Sequence, residues 1–366
     1  MFYLIHVRIA LKSLKKLGVK IMINKLKNSL VGIAFTLFSL LGFASVQSAQ
    51  AECGTVEMGD FDWDSANIHA AITSFILEKG YGCEVNITKG STTPIMQAHY
   101  QEDLDVIVEV WYDNIIDNYD PHEEAGTIYN AGINTPASEQ AFWVDATTAA
   151  KYNLKSVEDM RNPEVAALFN DPENPGMGRM YSCISGWTCY TINLVKHKEY
   201  GLDEFYTNYD PGTSGALDAA IAGAFAKGNP IFTYYWTPTG LMGKVDMIRL
   251  AEPAWTEQCW SDMSAVVEDI KANGPDVYEP SCACEYRDMA LTKSINTTWG
   301  EANPAEAKFI EAYSLSTPTV NKLLAAYTDP DTGGDMDATA RMFLSEYSEW
   351  KSMVPADVAS KVAAAL

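Results

Sequence analysis

Basic residues are scarce in this chain. Its 366 residues include 26 Lys and Arg against 48 Asp and Glu, which gives a formal net charge of −22. Nucleic-acid phosphates are met by clustered Lys and Arg, and this composition does not offer such clusters. We therefore expect no nucleic-acid partner, and the same charge disfavours binding to an anionic membrane surface.

The sequence also lacks the common catalytic motifs. It has no nucleophile elbow, no phosphate-binding loop and no metal-binding His pair. Its five histidines are scattered, at His6, His69, His99, His122 and His197. Acid pairs such as Asp60 and Asp62 arise by chance in a chain with 48 acids. We expect a protein that is not an enzyme and that carries no cofactor.

An acid-free basic segment precedes the acidic remainder. Residues 1–51 hold seven Lys and Arg, so the rest has 19 basic against 48 acidic residues. From Met22 the segment is typical of a secretory signal: Lys25 and Lys27, an apolar run to Ala44, and small residues at the cleavage site. We predict export with cleavage after Ala51. Residues 1–21 then reflect a misplaced start codon, or else a second amphipathic anchor.

The exported portion should be a soluble protein with three disulfides. No later apolar run reaches the roughly 18 residues of a membrane span. All seven cysteines lie beyond the leader, at Cys53, Cys83, Cys183, Cys189, Cys259, Cys282 and Cys284. Export favours the pairs Cys53–Cys83, Cys183–Cys189, and Cys259 with Cys282 or Cys284. Cys282 and Cys284 have one residue between them, which is too close for a common zinc motif, so no metal site is expected.

The alternation of predicted elements indicates an α/β fold. Strands at 55–61, 84–88 and 105–110 alternate with helices at 67–79 and 94–100. The pattern recurs with helices at 155–169, 189–198 and 214–227, strands at 179–182 and 230–235, and C-terminal helices at 305–314, 317–326 and 339–350. The residues after the leader are too many for a single small hydrophobic core. We predict one lobe from 52–140 plus 288–366, a second from 141–287, and crossings near 140–144 and 286–291.

Four tryptophans fall where predicted strands end or helices begin. Trp63 follows the first strand, Trp111 and Trp236 directly end two others, and Trp187 precedes a helix. Ligands of open α/β sheets bind beyond the carboxyl ends of the strands, so we expect these four residues, called the tryptophan cage below, in one cleft. For any one of them a core position is the alternative. Aromatic faces attract cations that lack hydrogen-bond donors, so the predicted headgroup is a methylated nitrogen or sulfur.

The loop around Trp187 offers a complementary site for an anion. The amides of Gly186, Trp187 and Thr188 open the predicted helix, and helix N-termini bind small negative groups. A Cys183–Cys189 disulfide would hold this loop rigid, the alternative being two buried free thiols. A cation at the rings and an anion at the amides together describe a zwitterion.

At these residues the sequence resembles the glycine betaine and proline betaine substrate-binding proteins of bacterial ABC importers, and still more the branch that includes trimethylamine N-oxide binders. The resemblance spans 52–366. It rests on Phe-Asp-Trp63-Asp-Ser-Ala, Glu-Val-Trp111, Cys183-Ile-Ser-Gly-Trp187-Thr-Cys189 and Tyr-Tyr-Trp236-Thr-Pro-Thr-Gly-Leu-Met-Gly-Lys. It implies a type II periplasmic-binding-protein fold, two α/β lobes with a ligand cleft, and a monomeric periplasmic receptor that serves an ABC permease in the inner membrane.

One departure from the resemblance leaves the ligand open. The enteric betaine binders carry a His four residues after the Trp that matches Trp111, and it helps to hold the carboxylate; here that residue is Ile115. A carboxylate must then be bound by the loop amides, or the ligand has none. We expect glycine betaine or a similar methylated onium compound, with trimethylamine N-oxide, dimethylsulfoniopropionate or choline as alternatives. A secreted structural or metal-binding protein is the less favoured class.

Overall fold

The computed structural model describes residues 53–329 and 334–366. The predicted leader, residues 1–51, and its cleavage after Ala51 lie outside the described residues. Within those residues, no helix combines the length and the apolar character that a bilayer crossing needs.

The described residues contain nine strands and thirteen α-helices. The strands are β1 (Thr55–Phe61), β2 (Glu84–Gly90), β3 (Val106–Val110), β4 (Ile128–Asp145), β5 (Gly178–Tyr181), β6 (Tyr206–Tyr209), β7 (Phe232–Thr237), β8 (Met247–Arg249) and β9 (Met289–Asn296). The helices are α1 (Asp64–Ile76), α2 (Thr92–Tyr100), α3 (Ile116–Glu124), α4 (Ala146–Tyr152), α5 (Pro163–Ala166), α6 (Thr188–Glu199), α7 (Ser214–Lys227), α8 (Glu257–Asn273), α9 (Thr297–Ala302), α10 (Pro304–Ala312), α11 (Thr317–Tyr327), α12 (Met336–Glu346) and α13 (Ala356–Ala365).

The strands form two sheets that share the long strand β4. The order is β2-β1-β3-β9-β4-β7-β5-β6, and β8 also pairs with β4. The first part of β4, Ile128 to Ser138, pairs with β9, and its last part, Glu139 to Val144, pairs with β7. The predicted α/β class with two lobes is confirmed, while the lobe boundaries stay a prediction.

Parallel pairing puts the carboxyl ends of several strands at one edge in each sheet. β1 pairs parallel with both β2 and β3 in the first sheet, and β5 pairs parallel with both β6 and β7 in the second. β3 is buried along its whole length, as its apolar run predicts. The second sheet is not wholly parallel, because β4 joins it antiparallel to β7. Residues that follow β1, β3 and β7 are thereby brought to the cleft.

One predicted helix is wrong. Residues 155–169 form a 3₁₀ turn at Asp159–Arg161, the short helix α5 and a second 3₁₀ turn at Ala167–Phe169. Pro163 has no amide hydrogen and restricts the residue before it, and Asn162 is accordingly extended at φ −97° and ψ 123°. A continuous helix therefore does not pass this point. By contrast, β1 and α7 have the predicted bounds.

The structure contains three disulfides. They join Cys53 to Cys83, Cys183 to Cys189, and Cys259 to Cys282, which leaves Cys284 as a buried free thiol. Cys282 is thus the partner of Cys259 in the pair that the sequence left open. The first disulfide links the chain just before β1 to the chain just before β2.

Candidate functional site

The turn from β1 into α1 places two aromatic rings side by side. Phe61 ends β1, and Trp63 is the extended N-cap residue of α1, at φ −136° and ψ 155°. Alternate residues of an extended segment lie on the same side of the chain. The two rings accordingly stack, with centroids 4.5 Å apart and planes 9° apart.

Two tryptophans from the second sheet meet this pair. Trp187 is the N-cap residue of α6, and Trp236 lies near the end of β7. The ring centroids of Trp187 and Trp63 are 4.9 Å apart, and those of Trp187 and Trp236 are 5.2 Å apart, both edge to face. These are favourable aromatic geometries, so three members of the tryptophan cage form one continuous array.

All four members of the tryptophan cage line one cavity. It measures about 440 Å³, counting the space that opens to solvent. Its lining residues are Phe61, Trp63, Thr92, Val110, Trp111, Asn114, Ile115, Trp187, Thr188, Cys189, Tyr234 and Trp236. Gly186 lies beside this cavity and not in its wall. A mainly apolar wall with a few polar groups is typical of sites for small organic ligands.

A buried carboxylate orients two of the rings. Glu109 Oε1 accepts hydrogen bonds from the indole Nε1 of Trp63 at 2.6 Å, from that of Trp111 at 3.1 Å and from Ser65 Oγ at 2.9 Å. Glu109 Oε2 has no hydrogen-bond partner among the described residues. Burial raises the pKa of Glu109 to about 7, against the effect of these three hydrogen bonds.

A histidine next to Glu109 is neutral. His69 Nε2 lies 3.9 Å from Glu109 Oε2, while His69 Nδ1 is 2.8 Å from the hydroxyl of Tyr313. Burial lowers the pKa of His69 to about 3, and nearby Lys293 lowers it further. When Glu109 is ionised, its charge is therefore not balanced by His69, and it favours a cation in the adjacent cavity.

A second carboxylate connects two segments that follow strands of the two sheets. Trp187 Nε1 donates to Asp62 Oδ1 at 2.6 Å, across 125 positions of sequence. Ser214 Oγ, at the start of α7, donates to the main-chain oxygen of Asp62 at 3.2 Å. These two bonds connect the segment after β1 with the N-terminal ends of α6 and α7.

The loop before α6 offers fewer amides than the sequence indicates. The amide of Trp187 donates to Ile184 O at 3.1 Å, so it is not available to a ligand. Among the described residues, the amides of Gly186 and Thr188 have no partner. Gly186 has φ +93°, and a Cβ there would lie 2.7 Å from Ser91 Oγ. The tight turn and the close approach both require glycine.

The cavity wall around Ile115 combines apolar and polar side chains. Ile115 is 7% exposed and lines the cavity beside Asn114. Gln140 Oε1 accepts from Asn114 Nδ2 at 3.1 Å and from the hydroxyl of Tyr234 at 2.8 Å.

Sequence reasoning missed Glu109, although an acid inside an apolar buried strand is a signal that could have found it.

Comparisons with known sequences identify a family and several relatives. A profile of the family described as "Substrate binding domain of ABC-type glycine betaine transport system" matches residues 54–346. The glycine betaine/proline betaine-binding periplasmic protein of Salmonella typhimurium is 23% identical over 61% of this chain and 66% of its own length, just under two thirds. The trimethylamine N-oxide-binding protein of Pelagibacter ubique is 22% identical over 86% of this chain and 95% of its own.

Solved structures agree with the fold. A choline-binding protein of an ABC transporter, in complex with choline, has a TM-score of 0.64 at 18% identity and covers 86% of this chain and 98% of its own. Lactococcal OpuAC, closed and complexed with glycine betaine, has a TM-score of 0.57 at 14% identity and covers 84% of this chain and 99% of its own. At these identities the likeness bears on the fold alone.

Proposed function

We propose that this protein is a receptor for a small methylated onium compound. The premise is that the chain belongs to the family of substrate binding domains of ABC-type glycine betaine transport systems. In this proposal the signal peptide is removed after Ala51, and the mature protein acts as a monomer in the periplasm. It delivers the ligand to an ABC permease in the inner membrane and performs no chemistry on it.

The observation that carries this proposal is the convergence of four indole rings on one cavity. A quaternary ammonium or sulfonium group offers no hydrogen-bond donor, so ring faces are the groups that can bind it. Each desolvated contact of this kind is worth about 0.5 to 2 kcal/mol. Glu109 adds a carboxylate behind two of the rings, and this favours a cation over a neutral group of the same shape.

Glycine betaine is the first candidate ligand, because the amides of Gly186 and Thr188 have no partner among the described residues and could donate hydrogen bonds to its carboxylate. A ligand without a carboxylate, trimethylamine N-oxide or choline, is the second candidate. This candidate is favoured because Ile115 offers no hydrogen-bond donor to a carboxylate on the ligand. In addition, the side-chain carboxylate of Glu109 lies behind the rings. Dimethylsulfoniopropionate shares the charge pattern of glycine betaine.

Titration calorimetry tests the proposal. The ligands are glycine betaine, choline, trimethylamine N-oxide and dimethylsulfoniopropionate, together with 3,3-dimethylbutanol, the neutral carbon analogue of choline. We expect at least one onium compound to bind, and the neutral analogue to bind at least ten-fold more weakly than choline if choline binds. Absence of binding by all four onium compounds would overturn the proposal.

Matched variants separate the aromatic face from simple filling of space. Trp236→Phe keeps a ring at the cavity, whereas Trp236→Ala removes it. Trp350 is buried in a part of the hydrophobic core that contains none of the cage residues, and its indole donates to Leu344 O, so Trp350→Phe is the control for loss of an indole elsewhere. We expect affinity in the order wild type and Trp350→Phe, then Trp236→Phe, then Trp236→Ala.

A further inference from the structure

We infer that Asp62 is a positioning residue: its carboxylate holds the indole of Trp187 in the tryptophan cage and stabilises the closed arrangement of the cleft. The inference rests on the proposed function for its ligand, but its geometry stands apart from the ligand's identity. Asp62 does not line the cavity, and it would act on the ligand through Trp187.

Asp62 and its neighbour Trp63 contact one indole in two different ways. Trp187 Nε1 donates to Asp62 Oδ1 at 2.6 Å, and the ring of Trp187 lies edge to face with Trp63 at 69°. An indole has a single hydrogen-bond donor, so this bond fixes the rotation of the ring. A bond to an ionised carboxylate is shorter and stronger than a neutral one. Trp187 is thereby held in the orientation that also meets Trp236.

Asp62 contacts two separate segments of the predicted second lobe. Its side chain accepts from Trp187, and its main-chain oxygen accepts from Ser214 Oγ at 3.2 Å. A further contact nearby joins the amide of Thr93 to Gly186 O at 3.4 Å. Each of these bonds pairs a residue of 52–140 with one of 141–287. Parting the lobes breaks them, so they contribute to the free energy of the closed form alone.

The two carboxylates at the cage therefore have different roles. Glu109 bonds to Trp63 and Trp111, which belong with it to the predicted first lobe, so its contacts can persist when the cleft opens. Asp62 bonds to Trp187 from the other lobe. Since Asp62 is exposed, water can replace this bond on opening, and the expected effect on affinity is moderate.

The test compares Asp62→Ala, Asp62→Asn and the control Asp117→Ala. Asp117 is an exposed acid in the first turn of α3, so its replacement removes the same charge without touching the cleft. With the tightest onium ligand, we expect Asp62→Ala to weaken binding about 5- to 20-fold, mainly through faster dissociation, and Asp62→Asn to recover most of the loss because its oxygen can still accept. The melting temperature without ligand should be unchanged.

A readout without ligand keeps this inference separate from the proposed function. The indole ¹⁵N–¹H signal of Trp187, assigned with Trp187→Phe, averages over the open and closed forms of the ligand-free protein. The hydrogen bond in the closed fraction should therefore contribute to the wild-type signal, which should shift in Asp62→Ala and return towards its wild-type position in Asp62→Asn. Equal signals in all three proteins would overturn the inference even if every onium compound binds. The inference would also be overturned if the affinity of Asp62→Ala for the onium ligand were within two-fold of that of Asp117→Ala. If no onium compound binds but the Trp187 signal shifts as expected, only the proposed function is overturned.

Discussion

Replacing Glu109 by Gln should make the protein more stable at neutral pH and weaken its binding of cations. The amide oxygen of Gln can still accept from Trp63, Ser65 and Trp111, so the rings keep their support. What is lost is a negative charge on a fully buried side chain. Stability and affinity are therefore expected to change in opposite directions.

The expected gain in stability follows from the pKa of Glu109. Burial raises it from the ordinary value of 4.5 to about 7, so the fold favours the protonated form. The stabilising contribution of that form is fully present below about pH 4.5 and is lost as the pH rises through about 7. One pKa unit corresponds to about 1.4 kcal/mol. At pH 8 we expect Glu109→Gln to be more stable than the wild type by up to about 3 kcal/mol.

The expected loss of affinity follows from Coulomb's law. A cation about 6 Å from an ionised carboxylate gains roughly 2 to 3 kcal/mol at an effective dielectric of about 20. Glu109 is mostly ionised at pH 8, so a loss of at least about ten-fold in affinity for choline is expected there. A bound cation also favours ionised Glu109. In the wild type the affinity should therefore rise between about pH 6 and 8, whereas in Glu109→Gln it should stay level.

Urea unfolding at pH 4, 6 and 8, with calorimetry at pH 6 and 8, measures both effects. Glu124→Gln is the control, because it removes the same charge from an exposed residue at the end of α3. The stability difference between Glu109→Gln and the wild type should grow with pH. The reasoning is refuted if Glu109→Gln is less stable than the wild type at pH 8, or if it binds cations as tightly there.

Three further predictions concern the cage, the loop and the closure. Alanine at any one of the four cage positions should cost about 1 to 3 kcal/mol of binding, with Trp63 near the lower end, and unchanged affinity in two of the four variants would reject the cage. Peptide mapping without reductant should recover Cys183 linked to Cys189, and a free Cys183 would remove the case for a rigid loop. The radius of gyration from small-angle scattering should fall on binding, and an equal radius with binding confirmed would count against closure.

Elements with local causes could be predicted from the sequence. The bounds of β1 and α7 follow from short apolar periodicity and from adjacent capping residues such as Thr213 and Gly228. The positions of Trp63, Trp111 and Trp236 at the ends of strands also follow locally, because each lies in or close beside a predicted strand. The predicted helix at 155–169 was wrong, although the residue that interrupts it, Pro163, is local and visible in the sequence.

The polar contacts of the site were decided by the tertiary structure. Glu109 is an acid in an apolar strand, and only the packing of β3 against α1 and the β1–α1 turn shows that it bonds to Trp63 and Ser65. The bond from Trp187 to Asp62 spans 125 positions and depends on how the two sheets approach each other. Local sequence determines backbone propensity and which residues are apolar. A hydrogen bond between distant segments needs donor and acceptor within about 3 Å, and that distance is set by the packing of the whole chain.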